Sequence, residues 1–170
     1  MSYDFNADEI FEIAEEIERN GAKFYRQMSE NFSETPVREL FLDLAAMEDD
    51  HEKAFVSMRA DLSGQEHKTT IFDPEGESAL YLRALADLRV FDKDAQEDFV
   101  LPTGLSEQEQ MQRVLHTAIG LEKDSIVFYL GMKELVPENL GKDKIDGIIK
   151  EEMGHIKLLS NRLSLLKKVL

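Results

Sequence analysis

Residues that can bind metal ions occur twice in this chain at one fixed spacing. The first set is Glu18, Tyr25, Glu48 and His51, and its members recur 104 positions later as Glu122, Tyr129, Glu152 and His155. Carboxylate oxygens and imidazole nitrogens are common ligands of transition metals in proteins. A Glu and a His three residues apart lie on one helix face, so each Glu-x-x-His pair can present an oxygen and a nitrogen to one ion. The repeat therefore predicts a duplicated helical hairpin with a metal site in its core.

The four repeated glutamates also indicate how much metal such a core would need. Four ionised carboxylates buried among apolar side chains would be very unfavourable without compensating positive charge. Two divalent ions would supply that charge. Carboxylate and imidazole ligands suit iron or manganese better than zinc alone, and they leave coordination positions open for an oxidant. We therefore expect two iron ions as the cofactor, with manganese as the alternative metal.

A neighbouring glutamate competes for one of these ligand positions. Glu151 lies four residues before His155 on the same helix face, so it could take the role given to Glu152. The repeat favours Glu152, because the counterpart of position 151 in the first set is Met47. His67 and His116 have no counterparts in the repeat, and we assign them no role.

The elements that must position these residues are four long helices. Apolar residues at helical spacing predict helices over residues 7–31, 36–62, 106–136 and 141–167. Asn6 with Glu9 and Ser106 with Glu109 have the spacing of capping boxes, which mark helix starts. Val136 and Pro137 should end the third helix, because proline cannot continue it. The helices form two hairpins, 7–62 and 106–167, each with a short turn.

The connection between the hairpins, residues 63–105, is too long to be an idle loop in a compact domain. Apolar residues at helical spacing near residues 78–91 predict a short helix within it. A long crossover allows the second and third helices to run parallel, whereas a tight turn would make them antiparallel. We predict an all-α fold: one domain over residues 1–170, an antiparallel four-helix bundle with a helix-containing crossover between helices 2 and 3.

Composition excludes several other kinds of site and partner. The chain has no cysteine, which excludes disulfides, iron–sulfur clusters, cysteine-bound zinc and thiol nucleophiles. Its formal net charge of −15 disfavours binding to nucleic acid or to an anionic membrane. No stretch approaches the ~20 apolar residues of a membrane span, and the first residues do not resemble a signal peptide. We expect a cytoplasmic protein.

With its paired glutamates and Glu-x-x-His motifs, the chain resembles the ferritin-like superfamily and, within it, the rubrerythrin-related proteins. The resemblance covers both hairpins. It implies that Glu18 and Glu122 are terminal ligands, that Glu48 and Glu152 bridge two metals, and that His51 and His155 each bind one. The same resemblance implies that Tyr25 and Tyr129 are catalytic residues that hydrogen-bond ligand carboxylates across a pseudo-twofold axis. A purely structural role is the alternative for the tyrosines, since a buried hydroxyl needs only some partner.

This sequence departs from rubrerythrin proper in two respects. It lacks the four cysteines of a rubredoxin domain, so the electrons would have to come from a separate donor protein. Rubrerythrin also has a second glutamate one turn from its third-helix ligand, whereas the positions flanking Glu122 here are Ile119 and Ser125. The chain therefore lacks the carboxylate that is associated with iron movement in rubrerythrin.

The resemblance predicts a non-haem di-iron protein that reacts with hydrogen peroxide or dioxygen, with a peroxide reductase or oxidase as the leading function. The alternative is a protein that binds and oxidises iron for storage or delivery. A structural bundle with a vestigial site is a third hypothesis, disfavoured because all six ligands are present. A homodimer is the assembly expected for the leading function, whereas storage would need a cage-like oligomer.

Overall fold

A computed structural model gives the structure of the chain. It describes residues 7–33, 35–62, 80–82, 84, 101, 103–136, 138 and 141–167. The long helices are α1 (Ala7–Asn31), α2 (Thr35–Ala60), α3 (Glu107–Leu135) and α4 (Lys142–Lys167). The described residues contain no strand, so the predicted all-α fold is confirmed.

Contacts between the helices establish their directions. Arg59 near the end of α2 binds Asp8 near the start of α1, so these two helices are antiparallel. Tyr25 of α1 contacts Glu122 of α3, while Tyr129 contacts Glu18, so α1 and α3 are antiparallel as well. Consequently α2 and α3 run in the same direction. The parallel pair that the long crossover was expected to allow is therefore present.

Local sequence signals account for the residues at which α3 and α4 begin. The Ser106 hydroxyl accepts a hydrogen bond from the backbone N–H of Glu109, and the Glu109 carboxylate accepts one from the backbone N–H of Ser106. This confirms the predicted capping box. Gly141 precedes α4 with a φ of +98°, a left-handed conformation that favours glycine. The other predicted capping box includes Asn6, which lies outside the described residues.

The crossover is described only in part. Residues 80–82 and 84 are helical, as predicted, and the remainder of the proposed helix over 78–91 lies outside the described residues. Leu82 is fully buried and packs beside Gly131 of α3, where an added Cβ would stand 2.9 Å from the leucine side chain. Gly131 therefore allows this segment to lie directly against the bundle.

The core consists of two apolar clusters with a polar layer between them. One cluster surrounds Phe11, Phe55 and Met58, and the other surrounds Phe24 and Phe41. Burying one such side chain stabilises the fold by about 1.5–3 kcal/mol. The repeated glutamates and histidines lie between these clusters, near the middle of the helices. Apolar packing on both sides thus holds a charged layer away from solvent.

Candidate metal centre

Six of the repeated residues converge in the centre of the bundle. Each is no more than 4% exposed, and all six point their polar atoms into one layer. They form two overlapping groups, in each of which the candidate ligand atoms lie within 4.8 Å of one another. The groups are Glu18, Glu48, His51 and Glu152, and Glu48, Glu122, Glu152 and His155. Glu48 and Glu152 belong to both, which is the arrangement that bridging ligands would have.

Each histidine lies close to several of the glutamates. His51 Nδ1 lies 2.9 Å from Glu152 Oε1 and 3.3 Å from Glu18 Oε2. His155 Nδ1 lies 2.9 Å from Glu152 Oε2 and 3.4 Å from Glu122 Oε1. The two imidazole rings are stacked, with centroids 5.6 Å apart and planes inclined by 18°. The repeat pairs Glu48 with Glu152, and Glu48 lies 3.7 Å from His51 Nδ1 and 3.3 Å from His155 Nδ1. The twofold relation therefore holds closely for the contacts with Glu18 and Glu122 and more loosely for those with the shared glutamates.

Tyr25 and Tyr129 connect the two hairpins across this layer. The Tyr25 hydroxyl donates a hydrogen bond to Glu122, and the Tyr129 hydroxyl donates one to Glu18. Burial, reinforced by the neighbouring carboxylates, raises the pKa of both phenols, so both retain their protons. Each tyrosine thus contacts the glutamate of the opposite hairpin, as the resemblance implies.

The unpaired atoms of the layer fit metal ions well. Glu18 Oε2, Glu48 Oε1, both Glu152 oxygens, His51 Nδ1 and His155 Nδ1 are buried, and none has a well-aligned hydrogen-bond partner among the described residues. Two ligand atoms about 2.1 Å from one ion and at right angles to each other stand about 3.0 Å apart. The separations of 2.9–3.4 Å match that value. The ligand atoms of one ion lie close together without forming hydrogen bonds to one another, and the atoms of this layer have that arrangement.

The four carboxyl groups fall into two classes of acidity. Burial raises the pKa of Glu18 and Glu122 well above the ordinary value, and the nearby Glu48 carboxylate adds to this rise. Burial acts in the same direction on Glu48 and Glu152, but other contacts outweigh it and lower the pKa of both groups. For Glu48 these are the contact with Glu18 and then those with the two imidazoles, and for Glu152 they are chiefly those with the imidazoles. In the metal-free protein these shifts favour the protonated form of Glu18 and Glu122 and the ionised form of Glu48 and Glu152.

The imidazoles balance the ionised pair. Burial alone would lower the pKa of His51 and His155, but the surrounding carboxylates outweigh it. They raise the pKa of His155 to about 12 and that of His51 well above its ordinary value. Two imidazolium ions then face two carboxylates, so the metal-free layer is neutral. It is also neutral with two divalent ions, four carboxylates and two uncharged imidazoles.

This exchange of charge predicts proton release on metal binding. At pH 7, binding of two Co²⁺ ions should release about four protons, because two carboxyl groups and two imidazolium groups must each lose one. Each ion then displaces about two protons, so its apparent affinity should fall by up to about 100-fold when the pH falls by one unit. Calorimetric titration in buffers of different ionisation enthalpy measures this release directly. Release of fewer than about two protons in total would contradict these protonation states.

Glu151 has a contact that sequence reasoning did not anticipate. It was considered only as a competitor of Glu152, but its Oε2 lies 3.0 Å from Nε2 of His51 on the facing helix. It is therefore a neighbour of the first histidine rather than a member of either group. Its position beside Glu152 was the available signal, because residues that flank an inward-facing ligand can reach the adjacent helix.

Gly21 was also missed as a feature of the site. A Cβ added to it would lie 3.4 Å from Cγ and 3.6 Å from Oε2 of Glu48. Glycine within a helix is about 1 kcal/mol less favourable than alanine. The missing side chain leaves a gap about the size of a methyl group next to the carboxylate that both groups share. The position of Gly21 one turn after Glu18 was the signal that could have identified it.

The residues that flank Glu122, and the histidines without a counterpart in the repeat, contribute no ligand atom to either group in the part of the chain that the structure describes. Ile119 is buried in the apolar core, and the Ser125 hydroxyl donates a hydrogen bond of 3.0 Å to the backbone oxygen of Leu121. Neither flanking position of Glu122 therefore offers a carboxylate to the layer. His116 is exposed on α3, and His67 lies outside the described residues.

Comparison with known proteins identifies the family. A model of the rubrerythrin family matches residues 9–100, more than half of the chain. The chain belongs to the rubrerythrin family. In this rubrerythrin-family chain the match covers the first hairpin and much of the crossover. The second hairpin lies outside the matched residues, but it repeats the candidate ligands of the first at the same spacing. No curated protein gives a significant match.

A solved structure supports the fold of this rubrerythrin-family protein over nearly its whole length. It is a protein from Thermotoga maritima, provisionally described as a ferritin-like diiron-carboxylate protein. The two are 22% identical, with a TM-score of 0.68, and the match covers 96% of this chain and 98% of the other. The ferritin-like fold is thereby confirmed. None of the described helices combines the length and apolar composition that a membrane crossing requires.

Proposed function

We propose that this chain is a di-iron peroxide reductase that receives its electrons from a separate protein. The observation that carries the proposal is the pair of overlapping groups that share Glu48 and Glu152 inside a buried layer. Membership of the rubrerythrin family supports iron as the metal, with manganese as the alternative. The sequence has no cysteine with which to bind a second redox centre, which supports an external electron donor.

Each residue of the layer has a defined task in this proposal. Glu18 and Glu122 would each bind one ion, Glu48 and Glu152 would bridge the two ions, and His51 and His155 would each add a nitrogen ligand. When bound in its reduced form, an iron pair supplies the two electrons that, with two protons, convert hydrogen peroxide to two water molecules. The gap beside Gly21 leaves one side of the Glu48 carboxylate without a covering side chain.

The tyrosines and the rings around them hold the terminal carboxylates in place. Tyr25 stacks on Phe41 with centroids 6.1 Å apart, and Tyr129 packs against Phe55 at 5.1 Å. Because both phenols are fully enclosed by apolar side chains, their hydroxyl groups are aimed at Glu122 and Glu18 rather than at solvent. Their proposed catalytic role is therefore to orient these carboxylates and to keep protons within the layer.

Anaerobic titration with Fe²⁺ followed by separate exposure to hydrogen peroxide and to dioxygen tests the proposal. We expect two irons per chain and oxidation by peroxide at least about tenfold faster than by dioxygen at equal concentration, a barrier difference of at least about 1.4 kcal/mol. Repeated cycles with a chemical reductant should then consume peroxide without net loss of iron. Oxidation that is faster with dioxygen would contradict the peroxide assignment.

The competing function is iron oxidation for storage or delivery. The ferritin-like fold and the net charge of −15, which attracts cations, favour it. Storage requires a cage-like oligomer and a mineral core that grows with added iron. Light scattering during the same dioxygen experiment distinguishes the two functions, because a monomer or dimer without mineral would exclude storage.

A further inference from the structure

The two histidines of the metal centre differ at their outer nitrogens. His51 Nε2 lies 3.0 Å from the carboxylate of Glu151. His155 Nε2 is buried, and it has no hydrogen-bond partner in the described part of the chain. The inner nitrogens of both histidines face carboxylates: each Nδ1 lies 2.9 Å from Glu152, and Glu48 lies 3.7 Å from that of His51 and 3.3 Å from that of His155. The difference in the kind of partner therefore lies behind the imidazoles, at the outer nitrogens.

The sequence repeat gives the reason for this difference. Glu151 directly precedes Glu152, and the corresponding residue before Glu48 is Met47. A thioether is at best a weak hydrogen-bond acceptor, whereas a carboxylate is a strong one. The six candidate ligands thus occupy matching positions in the two hairpins. Only the second hairpin has a carboxylate, Glu151, at the position next to its shared glutamate, and this carboxylate lies behind the histidine of the first hairpin.

We propose that Glu151 makes the two metal positions unequal, so that the ion between Glu18 and His51 binds more tightly than the ion between Glu122 and His155. This inference rests on the metal centre proposed above. A carboxylate that accepts the outer N–H of an imidazole fixes its tautomer and orientation and increases the basicity of the nitrogen that binds the metal. Glu151 is thus a positioning residue that acts on one ion through His51.

The size of the effect follows from the exposure of Glu151. Removing a partner of this kind typically reduces metal affinity by 10- to 100-fold, an order-of-magnitude range. The Glu151 side chain is 56% exposed, so water screens its charge and weakens the contact. We therefore expect the lower end of that range, a ratio of about tenfold between the two dissociation constants.

Equilibrium titration with Co²⁺, followed by visible absorption and calorimetry, tests this inference without any turnover. The wild-type chain should bind two ions in two steps about tenfold apart. In Glu151→Met the carboxylate behind His51 is removed, so the two ions should bind in one step at the weaker affinity. In Glu151→Gln an uncharged acceptor remains, and an intermediate separation is expected.

The reciprocal variant is Met47→Glu, which places a carboxylate at the corresponding position of the first hairpin. It should tighten the weaker step and bring the two affinities together. Glu30→Met is the matched control, since it removes an exposed charge at the far end of α1 and should leave the two steps unchanged. Circular dichroism confirms that each variant is folded, and Glu151→Met decides the question if Met47→Glu does not fold.

The outcomes separate this inference from the proposed function. An unchanged separation in Glu151→Met, or two identical sites in the wild-type chain, would overturn the role of Glu151 and leave the metal centre intact. Failure of the wild-type chain to bind Co²⁺ at all would instead overturn the metal centre, and this inference with it.

Discussion

Glu48→Ala and Glu152→Ala are each expected to abolish binding of both metal ions, although each removes a single carboxylate. Glu48 and Glu152 belong to both candidate groups, so either change leaves two incomplete sets of ligands. Loss of a residue that merely supports a ligand already weakens metal binding by about 10- to 100-fold, so loss of a shared ligand should exceed about 100-fold for each ion. Peroxide reduction should fall to the background rate.

Metal content after dialysis against Fe²⁺ under anaerobic conditions measures the first effect, and peroxide consumption measures the second. Glu15→Ala is the control, because Glu15 of α1 is likewise a buried glutamate but contacts Arg59 instead of the central layer. That variant should retain two ions per chain. If either shared glutamate can be removed with two ions still bound, the bridging assignment is wrong.

Metal removal should lower the melting temperature by about 10–20 °C. An ion present at 100 times its dissociation constant stabilises the folded state by about 2.7 kcal/mol, so two ions contribute about 5 kcal/mol. For a chain of this size, 1 kcal/mol corresponds to about 2–4 °C. The metal-free layer also retains buried oxygens and nitrogens that lack hydrogen-bond partners within the described residues.

Differential scanning calorimetry with and without a chelator provides the measurement. Adding Mn²⁺ or Co²⁺ back to the chelated protein should restore the higher melting temperature, whereas Mg²⁺ should restore little of it because it prefers oxygen ligands and keeps its waters. The metal-dependent shift should be absent in Glu48→Ala. Identical melting curves with and without chelator would show that the central layer does not depend on metal.

The sequence was most informative where local patterns determine structure. The periodicity of apolar residues predicted α1 over residues 7–31, and the structure has the same bounds. The capping box predicted the start of α3, because Ser106 and Glu109 satisfy backbone groups within a single turn. The convergence of the six candidate ligands also followed from sequence, since a repeat of helical spacing fixes which face each side chain occupies.

Features that depend on distances between helices could not be obtained in this way. The contact of Glu151 with His51 joins α4 to α2, and helical periodicity does not specify which neighbour an exposed glutamate reaches. The gap at Gly21 likewise depends on how closely Glu48 approaches α1. The ligand roles and the reaction remain predictions, because the same arrangement of carboxylates can serve peroxide reduction or iron oxidation.

The division of the two groups between the hairpins has a kinetic consequence. The hairpin of α1 and α2 supplies Glu18, Glu48 and His51 to one group, and the fourth member, Glu152, comes from the hairpin of α3 and α4. The other group reverses these proportions. Separation of the hairpins therefore removes one ligand from each ion, so we expect bound metal to escape mainly when the hairpins separate. Exchange of metal with the medium would then report how often the bundle opens.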